Sequence, residues 1–419
     1  MKVHFVGCEG ISMRRLRELT SKFGHETSGS DVASGGHDQK NVYGAELVVF
    51  SSAVNLDNEE LVYAREKNLP VVSRAQYLAK ISERFNSTVA VSGTHGKTTA
   101  TAMTATAMRS LRPTLHVGAN FSLDQNERED VFITEACEYR RNFLFLCPDV
   151  AVILNCEWEH TDCYRDEEEV KSAFFEFAKR SKKVVVNGDE ENLKNIRGEN
   201  VITFGKGEGN DIRASQVRKN ARGGYNFTVT AYGLILGEIS LSVLGEHNVY
   251  NALSAVTVAL DYGISFTQIK QELEQFKGVG RRLERVGVKR GVEVYCDYAH
   301  HPTEIRACVR SLKGEKRLIV VYEAHTYSRT YDLFDKFTRC FEGADEVIFA
   351  PVFGAREKGD DAVINKLMRG VSVKTPAKYF SSYDKIKEYL VSSLKVGERV
   401  VFVGAGNIDR LCKAFVSEV

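Results

Sequence analysis

The chain has 419 residues and a formal net charge of +1, with 27% charged and 43% hydrophobic residues. This length exceeds one ordinary hydrophobic core, and the balanced charge excludes a global basic field that would attract nucleic acid or a membrane surface. No apolar run reaches the roughly 20 residues of a membrane span. Nine scattered cysteines without a CxxC pair argue against a zinc ribbon. The opening MKVHFVGCEG has no signal-peptide pattern, so we expect a cytoplasmic protein with reduced thiols.

Strand, loop and helix patterns alternate along the chain, which predicts an α/β fold of parallel sheets covered by helices. Residues 1–85 read as a small Rossmann-like domain. Residues 86–281 read as a central domain with a phosphate loop and a parallel sheet, and the alternation at 227–243 predicts a small antiparallel sheet. Residues 282–419 read as a second Rossmann-like domain, with a hinge expected at 278–282.

The clearest motif is GTHGKTT, between a predicted strand and a predicted helix. Glycines let backbone N–H groups face a phosphate, and the helix N-terminus adds a partial positive charge. Lys97 is placed to reach terminal phosphates, and the Thr98 hydroxyl to bind Mg²⁺. The alternative is a glycine turn that only caps a helix, which the order of strand, GKTT and helix disfavours. The predicted ATP-binding residues of the loop are Gly93, Thr94, His95, Gly96, Lys97, Thr98 and Thr99.

Read with its neighbours, this loop resembles that of the Mur ligases, and other motifs of that family follow in order along the whole chain. They are SGSD at 28–31, SSAV at 51–54, SRAQ at 73–76, EACEYR at 135–140, NCEWEHTD at 155–162, GEHNVYNAL at 245–253, GVGRR at 278–282, DYAHHPTEI at 297–305, AHTYSRT at 324–330, FGAREK at 353–358 and VGAGNI at 403–408. They are most similar to the branch of the family that adds the first residue of the peptidoglycan stem peptide. The resemblance implies an enzyme that uses ATP and Mg²⁺ to join L-alanine to UDP-N-acetylmuramate through an acyl phosphate.

The resemblance also implies a division of labour among the domains, with the sugar nucleotide on the first, ATP on the central one and the amino acid on the third. One Mg²⁺ would be held by Thr98 and Glu135, and a second would be associated with His160. Lys97, Glu135 and His160 are the expected catalytic residues. A helix-capping glutamate and a satisfied loop histidine are the alternatives for Glu135 and His160.

Other expected contacts come from motifs further along the chain. Arg281 lies beside Arg282 at the expected hinge, where a guanidinium can reach phosphates. The expected ATP contacts outside the loop are His247, Asn248, Asn251, Arg282 and Asp297. The expected contacts of the sugar nucleotide and the amino acid are Gly7, Gly10, Ser30, Asp31, Ser51, Ser52, Arg74, His300, His325 and Arg329. Helix capping is the alternative for Asn248.

The first loop departs from the family pattern, because Glu9 and Ser12 stand where glycines are usual. The same two glycines are missing from a dinucleotide fingerprint, which rules against an NAD site. A helix and strand that usually follow the SGSD motif are also missing. Because side chains block the approach of a diphosphate to backbone N–H groups, we expect weaker binding of the sugar nucleotide, relieved by glycine at both positions.

Three functions compete at this point. The first is L-alanine ligation, the second a related ligase that attaches a preformed tripeptide or another amino acid, and the third a catalytically weak paralogue that binds nucleotide as a regulator. The AHTYSRT motif favours the first, and the altered first loop favours the third. The expected partners are the small-molecule substrates alone, with no nucleic acid and no membrane, for a monomer or a homodimer.

Overall fold

The structure, a computed structural model, describes residues 1–123, 128–159, 163–355, 357–359 and 361–417. The strands of this described part are β1 Lys2–Val6, β2 Glu26–Ser30, β3 Leu47–Phe50, β4 Val71–Ser73, β5 Ser87–Ser92, β6 Pro113–His116, β7 Arg128–Glu135, β8 Val150–Ile153, β9 Lys183–Asn187, β10 Val201–Gly205, β11 Ile212–Lys219, β12 Tyr225–Ala231, β13 Leu234–Ser240, β14 Glu284–Lys289, β15 Val292–Asp297, β16 Leu318–Tyr322, β17 Glu346–Phe349, β18 Ala377–Tyr379 and β19 Arg399–Val403.

The helices alternate with these strands as the sequence predicts. They are α1 Ile11–Lys22, α2 Glu59–Glu66, α3 Arg74–Ser82, α4 Lys97–Ala107, α5 Glu167–Lys179, α6 His247–Asp261, α7 Phe266–Gln275, α8 Pro302–Leu312, α9 Tyr327–Asp332, α10 Phe334–Cys340, α11 Ala362–Ser372, α12 Tyr383–Ser393 and α13 Ile408–Ser417. Short 3₁₀ turns occupy Val32–Ser34, Gln39–Val42, Arg109–Leu111, Tyr139–Phe145 and Glu191–Leu193. No helix of the described residues is long and apolar enough to cross a membrane.

The chain divides into two compact units. The first comprises Met1–Arg218, Asn226–Leu241 and Asn248–Phe276, and the second comprises Lys219–Tyr225, Ser242–His247 and Lys277–Val419. The first unit contains the N-terminal block and most of the central block that the sequence distinguishes.

A small parallel sheet opens the first unit, in the order β2-β1-β3-β4. The strand β2 lies at its edge, and its sequence ETSGS is polar and short, as an exposed edge requires. Only the 3₁₀ turns Val32–Ser34 and Gln39–Val42 lie between β2 and β3. The sheet is therefore a shortened Rossmann-like unit, as the missing helix and strand predict.

The larger sheet of the first unit has the order β13-β12-β11-β10-β9-β8-β5-β7-β6. The strands β5, β7, β8, β9 and β10 pair in parallel, and the central strands β5, β8 and β9 are almost fully buried. The predicted hairpin is present as the antiparallel pair β12–β13. It continues the large sheet at one end.

One hydrophobic core joins the two sheets of the first unit. Tyr77 on α3 packs on Phe5 of β1, and Phe85 stacks on Phe132 of β7 with ring centroids 4.7 Å apart. All four residues belong to the same buried cluster. The N-terminal sheet and the ATP-binding sheet are therefore packed together.

The second unit is built on a sheet in the order β14-β15-β19-β16-β17-β18, parallel except for β14 against β15. Asp297 at the end of β15 and Tyr322 at the end of β16 both align with Val403 of β19. The segments that follow these strands therefore leave the sheet at the same edge, which is where α/β proteins bind ligands.

Candidate active site

The phosphate loop connects β5 to α4 and requires glycine at two positions. Gly93 has φ +146° and Gly96 has φ +83°, conformations that side-chain-bearing residues rarely adopt. A Cβ atom on Gly96 would also lie 2.9 Å from Oδ1 of Asn251, on α6. The loop therefore bends tightly to start α4 at Lys97, and α6 packs against the bend.

Asn155 fixes the middle of the loop from the neighbouring strand. It follows β8, which pairs directly with β5, so its side chain reaches the loop. Its Oδ1 accepts the His95 N–H at 2.8 Å, and its Nδ2 donates to the His95 carbonyl at 3.0 Å. Thr94 N–H donates to the Asn155 carbonyl at 3.2 Å. These bonds orient the loop before any phosphate binds, a role that the sequence analysis does not assign to Asn155.

Lys97 begins α4, and its ammonium lies inside the loop. Its Nζ donates to the carbonyls of Gly93 at 2.6 Å and Thr94 at 3.0 Å. Glu138 lies beside it, with carboxylate oxygens 3.0 and 2.9 Å from Nζ and only 2% of the residue exposed. Burial opposes the charged lysine, but the charge and hydrogen bond of Glu138, together with Cys137 and Glu159, raise the Lys97 pKa above its ordinary value. The cation is therefore held in place by a buried carboxylate.

The expected metal ligands Thr98 and Glu135 lie in the same part of the first unit. Thr98 is in the first turn of α4 and is 6% exposed, and Glu135 ends β7, adjacent to β5. The Glu135 Oε1 atom accepts the Gly118 N–H at 2.9 Å, which orients the carboxylate. A hydroxyl and one carboxylate suit Mg²⁺, which keeps several waters and binds substrate phosphates. The third expected ligand, His160, lies outside the described residues.

No cluster of three or more His, Cys, Asp or Glu side chains with metal-binding geometry occurs among the described residues. This is compatible with Mg²⁺, which needs only one or two protein carboxylates.

The first loop follows β1 and turns at Gly7, which has φ +76°. The N–H groups of Gly7 and Cys8 both donate to the Ser30 carbonyl, at 2.8 and 3.0 Å. Gly10 precedes α1 as its N-cap, with open space where a Cβ would stand. Asp31 accepts the Glu9 N–H at 3.0 Å. Of the expected substrate residues in this block, Gly7, Gly10, Ser30 and Asp31 are thus gathered around one loop.

The Glu9 carboxylate contacts both the loop and α1. Its Oε1 accepts from the Cys8 thiol at 3.8 Å, and its Oε2 lies 3.1 Å from Arg14, with 38% of the Glu9 side chain and 59% of the Arg14 side chain exposed. Solvent and Arg14 therefore screen the negative charge of Glu9.

The Ser30 side chain is buried in the N-terminal block rather than exposed to a ligand. It is 2% exposed, and its hydroxyl donates to Glu60 at 2.6 Å. Glu60 also receives hydrogen bonds from His4 at 3.3 Å, Asn41 at 2.8 Å and the Asp38 N–H at 3.1 Å. Ser30 can therefore serve the loop only through its backbone and through this buried network.

The remaining expected residues of the N-terminal block lie at the ends of β3 and β4. The Ser51 N–H donates to the Val6 carbonyl at 3.0 Å, and its hydroxyl accepts the Ala53 N–H at 3.2 Å. Ser52 follows it and is partly exposed. Arg74 begins α3, and its Nη1 donates to the Ser12 hydroxyl at 3.0 Å. The guanidinium is thereby placed beside the first turn of α1.

Three of the expected ATP contacts lie at the start of the helix α6. It begins at His247, and Asn248 and Asn251 are 6% and 5% exposed. The Asn251 Nδ2 donates to the Asn248 Oδ1 at 2.8 Å, while the Asn251 Oδ1 faces Gly96. This pair therefore fixes the helix against the phosphate loop.

In the second unit, Asp297 organises the backbone at the end of β15. Its carboxylate accepts the N–H groups of Leu283 and Ala299, both at 2.7 Å. Burial raises the Asp297 pKa to about 6, although the Arg282 charge and these hydrogen bonds oppose the rise. Asp297 therefore anchors the segment after the hinge, and Arg282 lies over the Tyr298 ring, 5.0 Å from its centroid.

His300, His325 and Arg329 are brought together in the same unit. The two imidazole rings are 5.8 Å apart, and Arg329 Nη1 lies 3.3 Å from the His325 Nδ1. Burial lowers the pKa of each histidine to about 4, and Arg329 also lowers both. Neutral imidazoles beside one guanidinium suit a carboxylate ligand such as that of an amino acid. Arg281, by contrast, is engaged within the unit, donating to the carbonyls of Gly404 and Gly406 at 2.9 and 3.0 Å.

These features define a class of protein. A phosphate loop with a charged lysine, an oriented carboxylate one strand away and a separate Rossmann-like unit with a cluster of two histidines and an arginine are the parts of an ATP-using ligase.

Comparison with known proteins identifies the family. Family profiles match three parts of the chain: residues 2–86 match "Mur ligase family, catalytic domain", residues 91–259 match "Mur ligase middle domain" and residues 281–406 match "Mur ligase, glutamate ligase domain". The chain is 37% identical to the UDP-N-acetylmuramate–L-alanine ligase of Clostridium botulinum strain Okra, over an alignment of 447 positions. The alignment covers 99% of this chain and 97% of the relative. It is 36% identical to the enzyme of that name from Clostridium acetobutylicum, covering 100% and 98%. The chain therefore belongs to the Mur ligase family.

Solved structures agree with this assignment. The UDP-N-acetylmuramate–alanine ligase MurC of Thermotoga maritima matches with a TM-score of 0.85 and 26% identity, over 99% of this chain and 98% of that one. A murein peptide ligase from Psychrobacter arcticus has the same fold, with a TM-score of 0.74, 22% identity and coverage of 100% and 99%. The three-part α/β fold predicted from the sequence is confirmed.

Proposed function

We propose that the protein is an ATP-dependent ligase that joins L-alanine to the carboxylate of UDP-N-acetylmuramate. The proposal rests on one observation. Lys97 lies in the phosphate loop that follows β5, and Glu135 lies at the end of β7, the strand paired with β5. Full-length similarity to enzymes named for this reaction supports the choice of substrates.

The reaction has two steps that need different parts of the molecule. A carboxylate oxygen of the sugar nucleotide attacks the γ-phosphorus of ATP, ADP leaves, and an acyl phosphate forms. The amine of L-alanine then attacks the acyl carbon, and inorganic phosphate leaves with one former carboxylate oxygen as the amide forms.

The residues of the phosphate loop would bind ATP and stabilise charge on the transferred group. Gly93, Gly96 and the N-terminus of α4 present backbone N–H groups, and Asn155 holds the loop in shape. Lys97 is charged and becomes available to phosphate oxygens when they compete with Glu138 for its ammonium. Thr98 and Glu135 would hold Mg²⁺, which neutralises phosphate charge when it is bound.

The sugar nucleotide would bind at the first loop, and the amino acid in the second unit. Arg74 donates to the Ser12 hydroxyl in the first turn of α1, and this fixed position suits a phosphate group. His300, His325 and Arg329 would receive the carboxylate of L-alanine. Catalysis in the cytoplasm is part of the proposal, since all nine cysteines lie in the described part of the chain and are free.

The test is phosphate release by the purified protein with ATP, Mg²⁺ and UDP-N-acetylmuramate, followed across a panel of amino acids and the preformed stem tripeptide. The proposal expects the fastest release with L-alanine and a product heavier by one alanine residue. A preference for the tripeptide would support the recycling type of ligase instead. No release with any acceptor, together with tight nucleotide binding, would support a regulatory paralogue.

A further inference from the structure

Ser12 is a departure from the family pattern, yet its hydroxyl occupies a defined place between the two sheets of the first unit. It lies in the first turn of α1, where it accepts a hydrogen bond from Arg74 at 3.0 Å. On its other side it lies 2.9 Å from Nε2 of His116, the last residue of β6. A residue of the N-terminal block thus contacts the ATP-binding sheet directly.

The contacts continue from His116 to the proposed metal ligand. The His116 Nδ1 lies 2.9 Å from the hydroxyl of Thr134, and that hydroxyl donates to the Glu135 carbonyl at 3.1 Å. His116 is 2% exposed and Thr134 is fully buried, so water does not compete with these bonds. A second bond, from Arg15 Nε to the Leu115 carbonyl at 2.8 Å, holds α1 against β6 at the adjacent residue.

Only one direction satisfies every hydroxyl and ring nitrogen in this chain of contacts. The single Thr134 proton goes to the Glu135 carbonyl, so the His116 Nδ1 must carry the proton that Thr134 accepts. The Nε2 of a neutral ring is then an acceptor, and Ser12 donates to it while accepting from Arg74. Burial, followed by the Arg74 charge, lowers the His116 pKa to about 3, which keeps the ring neutral.

We infer that Ser12 and His116 are a positioning pair that fixes Arg74 and the first loop relative to Glu135. The pair connects the proposed sugar-nucleotide site to the proposed metal site by consecutive hydrogen bonds from Arg74 to Glu135. This inference deepens the proposed function and rests on it for the identity of the two ligands. It also reverses the expectation from sequence that glycine at position 12 would tighten binding.

The kinetic test compares Ser12→Ala, Ser12→Thr and a control, Ser21→Ala. Ser21 is on the same helix, and its hydroxyl bonds to that of Thr27 near the surface. Ser12→Ala should raise the KM for UDP-N-acetylmuramate roughly tenfold, because Arg74 loses its acceptor and Nε2 is left buried without a donor. The KM for ATP should change less than about twofold. Ser12→Thr keeps the hydroxyl and should restore most of the affinity, and Ser21→Ala should match the wild type.

A purely structural role would give a different pattern. If Ser12→Ala lowers the melting temperature while both KM values stay at the wild-type level, the positioning role is refuted. Equal rises in the two KM values would also refute it.

A second measurement needs no substrate and therefore separates this inference from the proposed function. Nitrogen-15 NMR of histidine-labelled protein, with the His116 signal assigned through His116→Gln, reports which ring nitrogen carries the proton. The inference predicts a neutral ring protonated on Nδ1 in the wild type and a shifted Nε2 resonance in Ser12→Ala. A ring protonated on Nε2 would overturn it. If the tautomer is as predicted but the wild type ligates no amino acid, the proposed function fails and the hydrogen-bonded connection stands.

Discussion

The buried carboxylate of Glu60 should contribute strongly to the stability of the first unit. It is fully buried and accepts hydrogen bonds from His4, Ser30, Asn41 and the Asp38 backbone. Burial opposes its ionised form, but these four bonds outweigh burial and lower its pKa from 4.5 to about 2. A fall of this size corresponds to ~3 kcal/mol of stability at neutral pH.

The substitution Glu60→Gln removes this contribution while keeping the size of the side chain. We expect a loss of ~3 kcal/mol in the free energy of unfolding at pH 7. Because the folded pKa lies below the unfolded one, the contribution is complete above pH 4.5 and is lost as the pH falls towards 2. The difference between wild type and Glu60→Gln should therefore shrink to about half at pH 3.

Urea unfolding followed by tryptophan fluorescence measures this difference. Trp158 is the single tryptophan of the chain and lies in the same unit as Glu60. Glu66→Gln is the control, because Glu66 is an exposed carboxylate on the same helix, α2. If Glu60→Gln unfolds at the same urea concentration as the control at pH 7, or if its deficit grows as the pH falls, the reasoning is wrong.

Three further predictions concern the phosphate loop. Lys97→Ala should lower turnover by about 10²-fold or more, and it should cost ~3 kcal/mol of stability because Glu138 is left buried without its cation. The double variant Lys97→Met with Glu138→Gln should regain stability in urea unfolding but not activity. Near-normal turnover in either variant would exclude the role of Lys97. Glu135→Gln should raise the Mg²⁺ concentration for half-maximal rate about tenfold in a metal titration, whereas the exposed Glu199→Gln should not; equal Mg²⁺ dependence in the two variants would contradict the ligand assignment. Asn155→Ala should weaken ATP binding about tenfold by calorimetry, because the His95 backbone loses both bonds that fix it; unchanged affinity would show that the loop holds its shape without Asn155.

The structural loss from Lys97→Ala could not be anticipated from the sequence. A lysine after a glycine-rich loop is expected to be solvated, so its removal would leave the fold intact. The structure instead places Glu138, 41 residues away in the chain, against its ammonium. The sequence shows a crowd of carboxylates near residues 135–162 but not which of them is buried.

Local order along the chain made much of the fold predictable. Lys97 is placed at the start of α4 because GTHGKTT lies between a strand and a helix. Asp297 is placed at an edge of the sheet because it ends a buried strand. Contacts between distant segments were not predictable in this way. Ser12 and His116 are 104 residues apart, and each resembles an ordinary polar residue until β6 is placed beside α1.

The N-terminal block shows the same limit. SGSD marks the end of β2, but whether Ser30 faces a ligand or the interior depends on where Glu60 lies, and Glu60 is 30 residues further on. The orientation of Glu9 likewise depends on Arg14, one helical turn away on α1. A single-residue departure from a family pattern therefore marks a position where the contacts differ from those of the family. Its effect depends on which residues contact it in the folded protein.

The central claim is that ATP activates the carboxylate of the sugar nucleotide before the amine attacks. UDP-N-acetylmuramate carrying oxygen-18 in its carboxylate tests this most directly, with inorganic phosphate and the product both analysed by mass spectrometry after reaction with ATP and L-alanine. An acyl phosphate predicts one oxygen-18 atom in each phosphate released. Phosphate without oxygen-18, formed in step with the amide product, would contradict the account.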